Sequence, residues 1–311
     1  MTRVVAPSRL HFGLFRVPGA EEVPAHERVY GGVGLMVELP GVIVSACPAA
    51  SWHIEGMLAS RAQEFALRYV THLAETERRP FQLLVERCPR EHTGLGVGTQ
   101  LGLAVGKALA VASGRFPTAV ELAPAIGRGN RSAVGVHGFD RGGLVVECGK
   151  RAGEVISPLS AHVMPPRSWR VLLFTPPVTN LWHGTREREA FANPAPGHTA
   201  RLRELAESVI VPAARNGDLT AFGAAVYEFN RCAGEPFALV QGGTYSSAVT
   251  SELVSELRRL GVLAVGQSSW GPTVFAITAD DDMAGWIARR FAGRVPVTVT
   301  RVSPGHRVEQ D

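Results

Sequence analysis

The chain has 311 residues, 45% hydrophobic and 19% charged, with a formal net charge of +4. That is ordinary globular material with core enough for one large or two medium domains. No apolar run approaches the ~20 residues that span a bilayer, so no membrane partner is expected. The N-terminus lacks the long apolar stretch of a signal peptide, and Cys47, Cys88, Cys148 and Cys232 lie too far apart for a zinc site or disulfide frame. A cytoplasmic protein is expected.

Residues 3–6, 10–16, 31–38 and 42–46 read as strands, and the alternation of a strand puts Arg9 and His11 on one face. Residues 61–76 carry apolar side chains at helical spacing, and 81–86 form a strand. A glycine loop follows, Gly94-Leu-Gly-Val-Gly98, and then an apolar helix over 99–111. Glycines at a strand-to-helix junction let the backbone approach a ligand closely, and the helix N-terminus adds partial positive charge. Gly94, Leu95, Gly96, Val97, Gly98, Thr99 and Gln100 are therefore candidate phosphate or pyrophosphate contacts. Helix is predicted over 119–127, a polar glycine loop over 127–143 and a strand over 142–148.

Pro165-Pro166 marks a boundary and divides the chain into domains 1–165 and 166–311. Beyond it, 170–174, 262–265, 273–278 and 295–302 read as strands. Residues 201–215, 218–231, 246–260 and 281–291 read as helices, and 180–198 as loop. The fold class expected is α+β.

Three clusters could carry chemistry. Ser8, Arg9 and His11 interrupt an apolar strand. Arg131, Ser132, His137 and Asp140 crowd a glycine-threaded segment, which suits an anion site with one carboxylate. Gly266-Gln-Ser-Ser-Trp-Gly-Pro272, between two strands, has more polar residues than a hairpin needs, and Gln241-Gly-Gly243 is a similar turn. Trp270 fits either plain packing or one wall of an aromatic pocket.

Several chemistries are disfavoured. Lys107 and Lys150 are the only lysines among 32 basic residues, and neither has the setting of a Schiff base or a Walker loop. Pyridoxal phosphate is not expected. Histidines occur singly, which disfavours zinc, whereas magnesium needs only one or two carboxylates, with Asp140 the natural candidate. The arginines are dispersed, so nucleic acid is not an expected partner.

Together these motifs resemble the GHMP kinase superfamily. Residues 6–14 match its first motif, 89–104 its glycine-rich phosphate loop and 266–277 its C-terminal glycine motif. The resemblance implies a two-domain fold, ribosomal S5-like at the N-terminus and ferredoxin-like at the C-terminus. GHMP kinases usually carry Gly-Leu-Gly-Ser-Ser-Ala-Ala, and here Gly98 and Gln100 stand near the serine and alanine positions. The altered set, Gly98-Thr-Gln-Leu101, Arg131-Ser132, Gln241-Gly-Gly243 and Gln267-Ser-Ser-Trp-Gly-Pro272, resembles the β-ribofuranosylaminobenzene 5′-phosphate synthase family of tetrahydromethanopterin biosynthesis.

That resemblance implies condensation of phosphoribosyl pyrophosphate with 4-aminobenzoate or 4-hydroxybenzoate, releasing carbon dioxide and pyrophosphate. It implies a homodimer. For that reaction the chemistry of the residues suggests catalytic roles for Arg131, His137 and Asp140, with magnesium on Asp140, and substrate contacts from Ser8, Arg9, His11, Arg186, Gln241, Gln267, Ser268, Ser269 and Trp270. An ATP-dependent GHMP-type small-molecule kinase is the alternative.

Overall fold

The computed structural model describes residues 1–19, 23–177 and 189–310. Its first two strands are longer than the sequence pattern suggests. β1 (Thr2–Arg16) and β2 (Tyr30–Pro48) form one antiparallel hairpin, and the four short predicted strands are its halves. The apparent breaks are register shifts between Ala6 and Ser8 and between His11 and Gly13. A bulge leaves pairing intact on either side while re-aiming side chains, so a strand can cross a site without ending there.

β3 (His53–Gly56), α1 (Ala59–Thr71) and β4 (Phe81–Arg87) extend this first sheet, and the glycine loop then enters α2 (Val97–Ala112). α2 is buried almost all round, consistent with its low polarity, and packs against β1 and β2 on one side and α1 on another. α3 (Ala119–Ala125) and α4 (Val134–Arg141) cover it further, and β5 (Leu144–Glu147) and β6 (Leu159–Val163) complete this part of the sheet beside β2.

α4 corrects the expectation of a loop over 127–143. Its glycines serve packing, not backbone freedom. A Cβ on Gly138 would meet Met36 Sδ at 2.3 Å, and one on Gly135 would meet Gln100 Nε2 at 3.2 Å.

The second sheet begins with β7 (Arg170–Phe174). A helical run follows: α5 (Thr199–Glu204), a π-helical turn at Leu205–Ile210, α6 (Val211–Asn216), α7 (Leu219–Gly234) and α8 (Ala238–Gln241). Then come α9 (Ala248–Arg259), β8 (Ala264–Gln267), β9 (Val274–Thr278), α10 (Asp281–Phe291) and β10 (Val297–Thr300). The antiparallel order β10-β7-β9-β8 is the ferredoxin-like arrangement. A last strand, β11 (Arg307–Gln310), was not anticipated. It returns to pair with β1, so the chain's end belongs to the first sheet.

α7 lies against both β1 and β8. There Asn230 is buried with its amide fully used. Nδ2 donates to Phe12 O (2.6 Å) and Gln267 O (2.9 Å), and Oδ1 accepts from Gln267 N (2.9 Å). One side chain thus fixes the distance between the two sheets at the place where a cavity opens.

Candidate active site

The cavity has a volume of about 460 Å³, within the usual range for small-molecule sites. Its wall is built from β1, the start of α2, the 127–132 segment, α7, α8 and the β8–β9 turn. The motifs far apart in sequence meet through backbone hydrogen bonds. Arg9 N donates to Leu95 O (2.9 Å), and Ser269 N donates to His11 O (3.0 Å). The fully buried Ser268 hydroxyl accepts from His11 N (3.0 Å) and donates to Gly94 O (2.7 Å). Strand, glycine loop and C-terminal turn are thereby a single unit.

Two guanidinium groups lie on the glycine loop. A Cβ on Gly96 would come within 3.0 Å of Arg9 Nε, and one on Gly98 within 3.0 Å of Arg128 Nη2. Gly96 also takes φ +69°, a conformation that favours glycine. The loop therefore meets the cavity through Thr99 and through the cations laid over its glycines. Arg128 stacks on Phe65, 5.0 Å from the ring centroid, and its buried Nε has no hydrogen-bond partner among the described residues. Burial, with Arg61 and Arg68 nearby, holds its pKa down to about 10, so it stays charged at neutral pH. A half-buried cation that makes no ion pair among the described residues, although Glu91 and Glu64 lie near it, gains when a ligand supplies an anion. Arg131 adds a third charge and lies 4.4 Å over the Phe191 ring.

An aromatic wall accompanies these cations. Trp270 and Phe237 have centroids 4.7 Å apart, and Phe191 stands edge-on to Trp270 at 5.4 Å. All three line the cavity, as do the buried Gln241 Oε1 and Tyr245 hydroxyl, neither of which has a hydrogen-bond partner among the described residues. Such a site can hold a polyanion at its arginines and a flat ring at its aromatics, with polar atoms left for the ring's substituents.

One carboxylate matters that the sequence reading passed over. Glu147, at the end of β5, is fully buried. Its Oε1 accepts from Ser132 Oγ (2.6 Å) and its Oε2 from Ala133 N (2.8 Å), while Ser132 Oγ lies 3.0 Å from His11 Nε2. Burial pushes the Glu147 carboxyl up, against the hydrogen bonds that pull it down. Burial, and secondarily Arg9, push His11 well below the usual histidine value, so His11 is neutral at pH 7. The signal in sequence was a lone acid ending an otherwise apolar buried strand.

Arg9, His11, Thr99, Arg131, Gln241, Gln267, Ser269 and Trp270 line the cavity together. Others expected there have different work. Ser8 is buried and donates to Pro40 O, and Gln100 reaches from α2 to Gly135 O on α4 at 2.8 Å. Gln267 Oε1 accepts from Ser246 N (2.7 Å), so it braces the turn as well as facing the cavity. Leu95 and Val97 belong to the core. Arg186 lies outside the described residues.

The largest corrections concern α4. His137 Nε2 donates to Ser157 O (2.8 Å), and Asp140 Oδ2 accepts from Ala119 N (2.7 Å) at the start of α3, with His306 on its other oxygen at 3.4 Å. Neither residue lines the cavity, because the helix turns them towards its neighbours. Magnesium would need a carboxylate at the substrate, and among the described residues none lines the cavity and no group of three potential ligands exists elsewhere. The described residues do not fit a resident ion, and no step below passes through one. The Asp140→Ala variant is expected to lose about 1 kcal/mol of stability with the hydrogen bond from Ala119 N. Its kcat/KM should stay within about twofold of wild type, because the reacting groups are untouched. Melting and pyrophosphate release, measured on the same preparation, check both.

Comparison with known proteins identifies the fold and the family. Residues 210–295 match the family model described as GHMP kinases C terminal. The Streptococcus pneumoniae phosphomevalonate kinase has the same fold, with a TM-score of 0.71 at 14% identity over 96% of this chain and 99% of that one. No helix among the described residues is long and apolar enough to cross a membrane. The beta-ribofuranosylphenol 5'-phosphate synthase of Methanothermobacter thermautotrophicus is 29% identical over 94% of both chains. That of Archaeoglobus fulgidus is 32% identical over 93% of this chain and 91% of its own. The fold is that of the GHMP kinases, and the chain belongs to the beta-ribofuranosylphenol 5'-phosphate synthase family of pentosyltransferase-type enzymes.

Proposed function

We propose that this enzyme transfers the 5-phosphoribosyl group of phosphoribosyl pyrophosphate to the carboxyl-bearing carbon of a 4-substituted benzoate. Carbon dioxide and pyrophosphate leave. The observation that carries this reading is the pair of guanidinium groups, Arg9 and Arg128, seated on Gly96 and Gly98. Loss of pyrophosphate builds negative charge on the leaving group and positive charge at ribose C1. Fixed cations in a site shielded from water favour the first without reorganising. The ring, held against Trp270, Phe237 and Phe191, supplies the electrons that form the carbon–carbon bond. Decarboxylation then restores aromaticity.

The names of the relatives specify a phenol product, which favours 4-hydroxybenzoate over 4-aminobenzoate as acceptor. Gln241 Oε1, which has no hydrogen-bond partner among the described residues, is an acceptor for either an O–H or an N–H on that ring. The product, a C-riboside, suits the tetrahydromethanopterin pathway that the sequence resemblance implies. The fold shared with kinases keeps ATP-dependent phosphoryl transfer as the competing reading.

Carboxyl-labelled 4-hydroxybenzoate and 4-aminobenzoate, each supplied with phosphoribosyl pyrophosphate, separate these readings. Labelled carbon dioxide is expected in stoichiometry with pyrophosphate, faster from the hydroxy acid. Thermal stabilisation by ATP but not by phosphoribosyl pyrophosphate, with no labelled gas, would show the reading to be wrong.

A further inference from the structure

The hydrogen-bonded chain Glu147–Ser132–His11 begins at a fully buried carboxylate and ends at a histidine on the cavity wall. Given the charge on Glu147, its direction follows from donors and acceptors. Ala133 N donates to Glu147 Oε2 (2.8 Å), and Val134 N donates to Ser132 Oγ (3.3 Å). A hydroxyl has a single proton. With Glu147 ionised, Ser132 gives that proton to Oε1 and has only lone pairs to offer His11. The neutral imidazole must then carry its hydrogen on Nε2, 3.0 Å away, which makes Nδ1 the basic nitrogen.

We propose that Glu147 is a positioning residue for the reaction. Acting through Ser132, it fixes His11 in the Nε2–H tautomer, so that Nδ1 accepts the proton of the substrate's 4-hydroxyl group. The use made of the proton rests on the function proposed above; the tautomer does not. As the ring carbon bonds to ribose C1, the bond from C1 to pyrophosphate breaks and the leaving group takes its electron pair. The 4-hydroxyl loses its proton to Nδ1, and the ring becomes a dienone. Carbon dioxide then departs, leaving its bonding pair in the ring. The resulting phenolate recovers the proton from the imidazolium, and aromaticity returns with no net change at His11. A depressed histidine basicity suits this loan, since the proton must come back. Holding an imidazole in one tautomer through a buried carboxylate is an established way to prepare such a base.

The Glu147→Gln variant makes the chain run backwards. Its amide oxygen is needed by Ala133 N, so its NH2 group faces Ser132 and donates. Ser132 then turns its proton to His11 Nε2, and the histidine shifts to the Nδ1–H form. Selective 15N-histidine labelling reads this without substrate. The unprotonated-nitrogen resonance of His11 is expected on Nδ1 in the wild type and on Nε2 in E147Q. kcat should fall about a hundredfold, while KM for phosphoribosyl pyrophosphate stays within about twofold. An unchanged tautomer, or a raised KM with kcat intact, would overturn the proposal.

Should E147Q fail to fold, S132A asks the same question. His11 Nε2 then loses its partner, and the two tautomers should exchange; a signal fixed as in the wild type would refute the chain. A tautomer that flips in a protein releasing no carbon dioxide would leave the positioning role standing and count against the reaction instead.

Discussion

Replacing Arg128 by methionine is expected to cut kcat/KM for phosphoribosyl pyrophosphate by about 10² to 10³ while thermal stability holds or rises. The two effects have one cause. Arg128 is a half-buried cation with Arg61, Arg68, Glu91 and Glu64 around it, lying over Phe65 with its buried Nε unpartnered among the described residues. Without an anion its burial is a cost to the fold, and a methionine of similar reach keeps the contact with Phe65 while removing that cost. Substitutions of this kind are neutral or stabilising by about 1 kcal/mol or more. The departing pyrophosphate loses a fixed positive charge, and removal of a single such donor costs about 3 to 4 kcal/mol of transition-state stabilisation. Arg128→Lys should fall between, since it keeps the charge but loses the planar fork that spans two phosphate oxygens. Calorimetry with and without pyrophosphate, alongside steady-state kinetics, measures both. A lower melting point with unchanged kcat/KM would mean that Arg128 is packing material and that the anion sits elsewhere.

Arg128 also shows what the sequence could and could not tell. The alternation of β1 placed Arg9 and His11 on one face correctly, because the pairing from Ser8 to His11 is unbroken between the two register shifts and a paired strand enforces a period of two. The glycine loop, the helix behind it and the β8–β9 turn were legible too, since each combines a local pattern with a change of composition. The segment over 127–143 was misread. Glycine there was taken for backbone freedom, yet Gly135 and Gly138 are small so that α4 can lie close to Gln100 and Met36. Once those residues are helical, His137 and Asp140 belong to its packed sides, and the site keeps only the preceding stretch with Arg128, Arg131 and Ser132. Glu147 was missed for a related reason. Its neighbours in sequence are apolar strand residues, and its partners, Ser132 and Ala133, reach it only through the fold. Which side chain meets a cavity depends on such non-local contacts, and no single-chain pattern records them.

The loop position that separates this chain from the kinases offers the sharpest remaining test. Gly98→Ser restores a serine near the place where GHMP kinases usually carry one, and simple packing predicts that the protein tolerates it. Gly98 lies in the first turn of α2 without the left-handed conformation of Gly96, and serine is the better helix former by about 0.5 kcal/mol. The new Cβ would meet only Arg128, with Nη2 at 3.0 Å and Cζ at 3.4 Å, the far end of a flexible side chain. The fold should therefore keep its stability while the guanidinium is pushed off the loop. kcat/KM for phosphoribosyl pyrophosphate is expected to fall by roughly tenfold or more, since displacing a charge by even ~1 Å weakens its hold on a developing anion. ATP turnover should not appear, because a hydroxyl alone supplies no carboxylate for a metal and Arg9 still covers Gly96. Gly96→Ala is the contrasting variant. Its φ of +69° strains any side chain, and the new Cβ would lie 3.2 Å from Arg9 Cβ as well as 3.0 Å from its Nε, so stability should drop by at least ~1 kcal/mol. If G98S kept full kcat/KM, or began to phosphorylate a small alcohol with ATP, the cations over the glycines would not be what sets this enzyme apart from its kinase relatives.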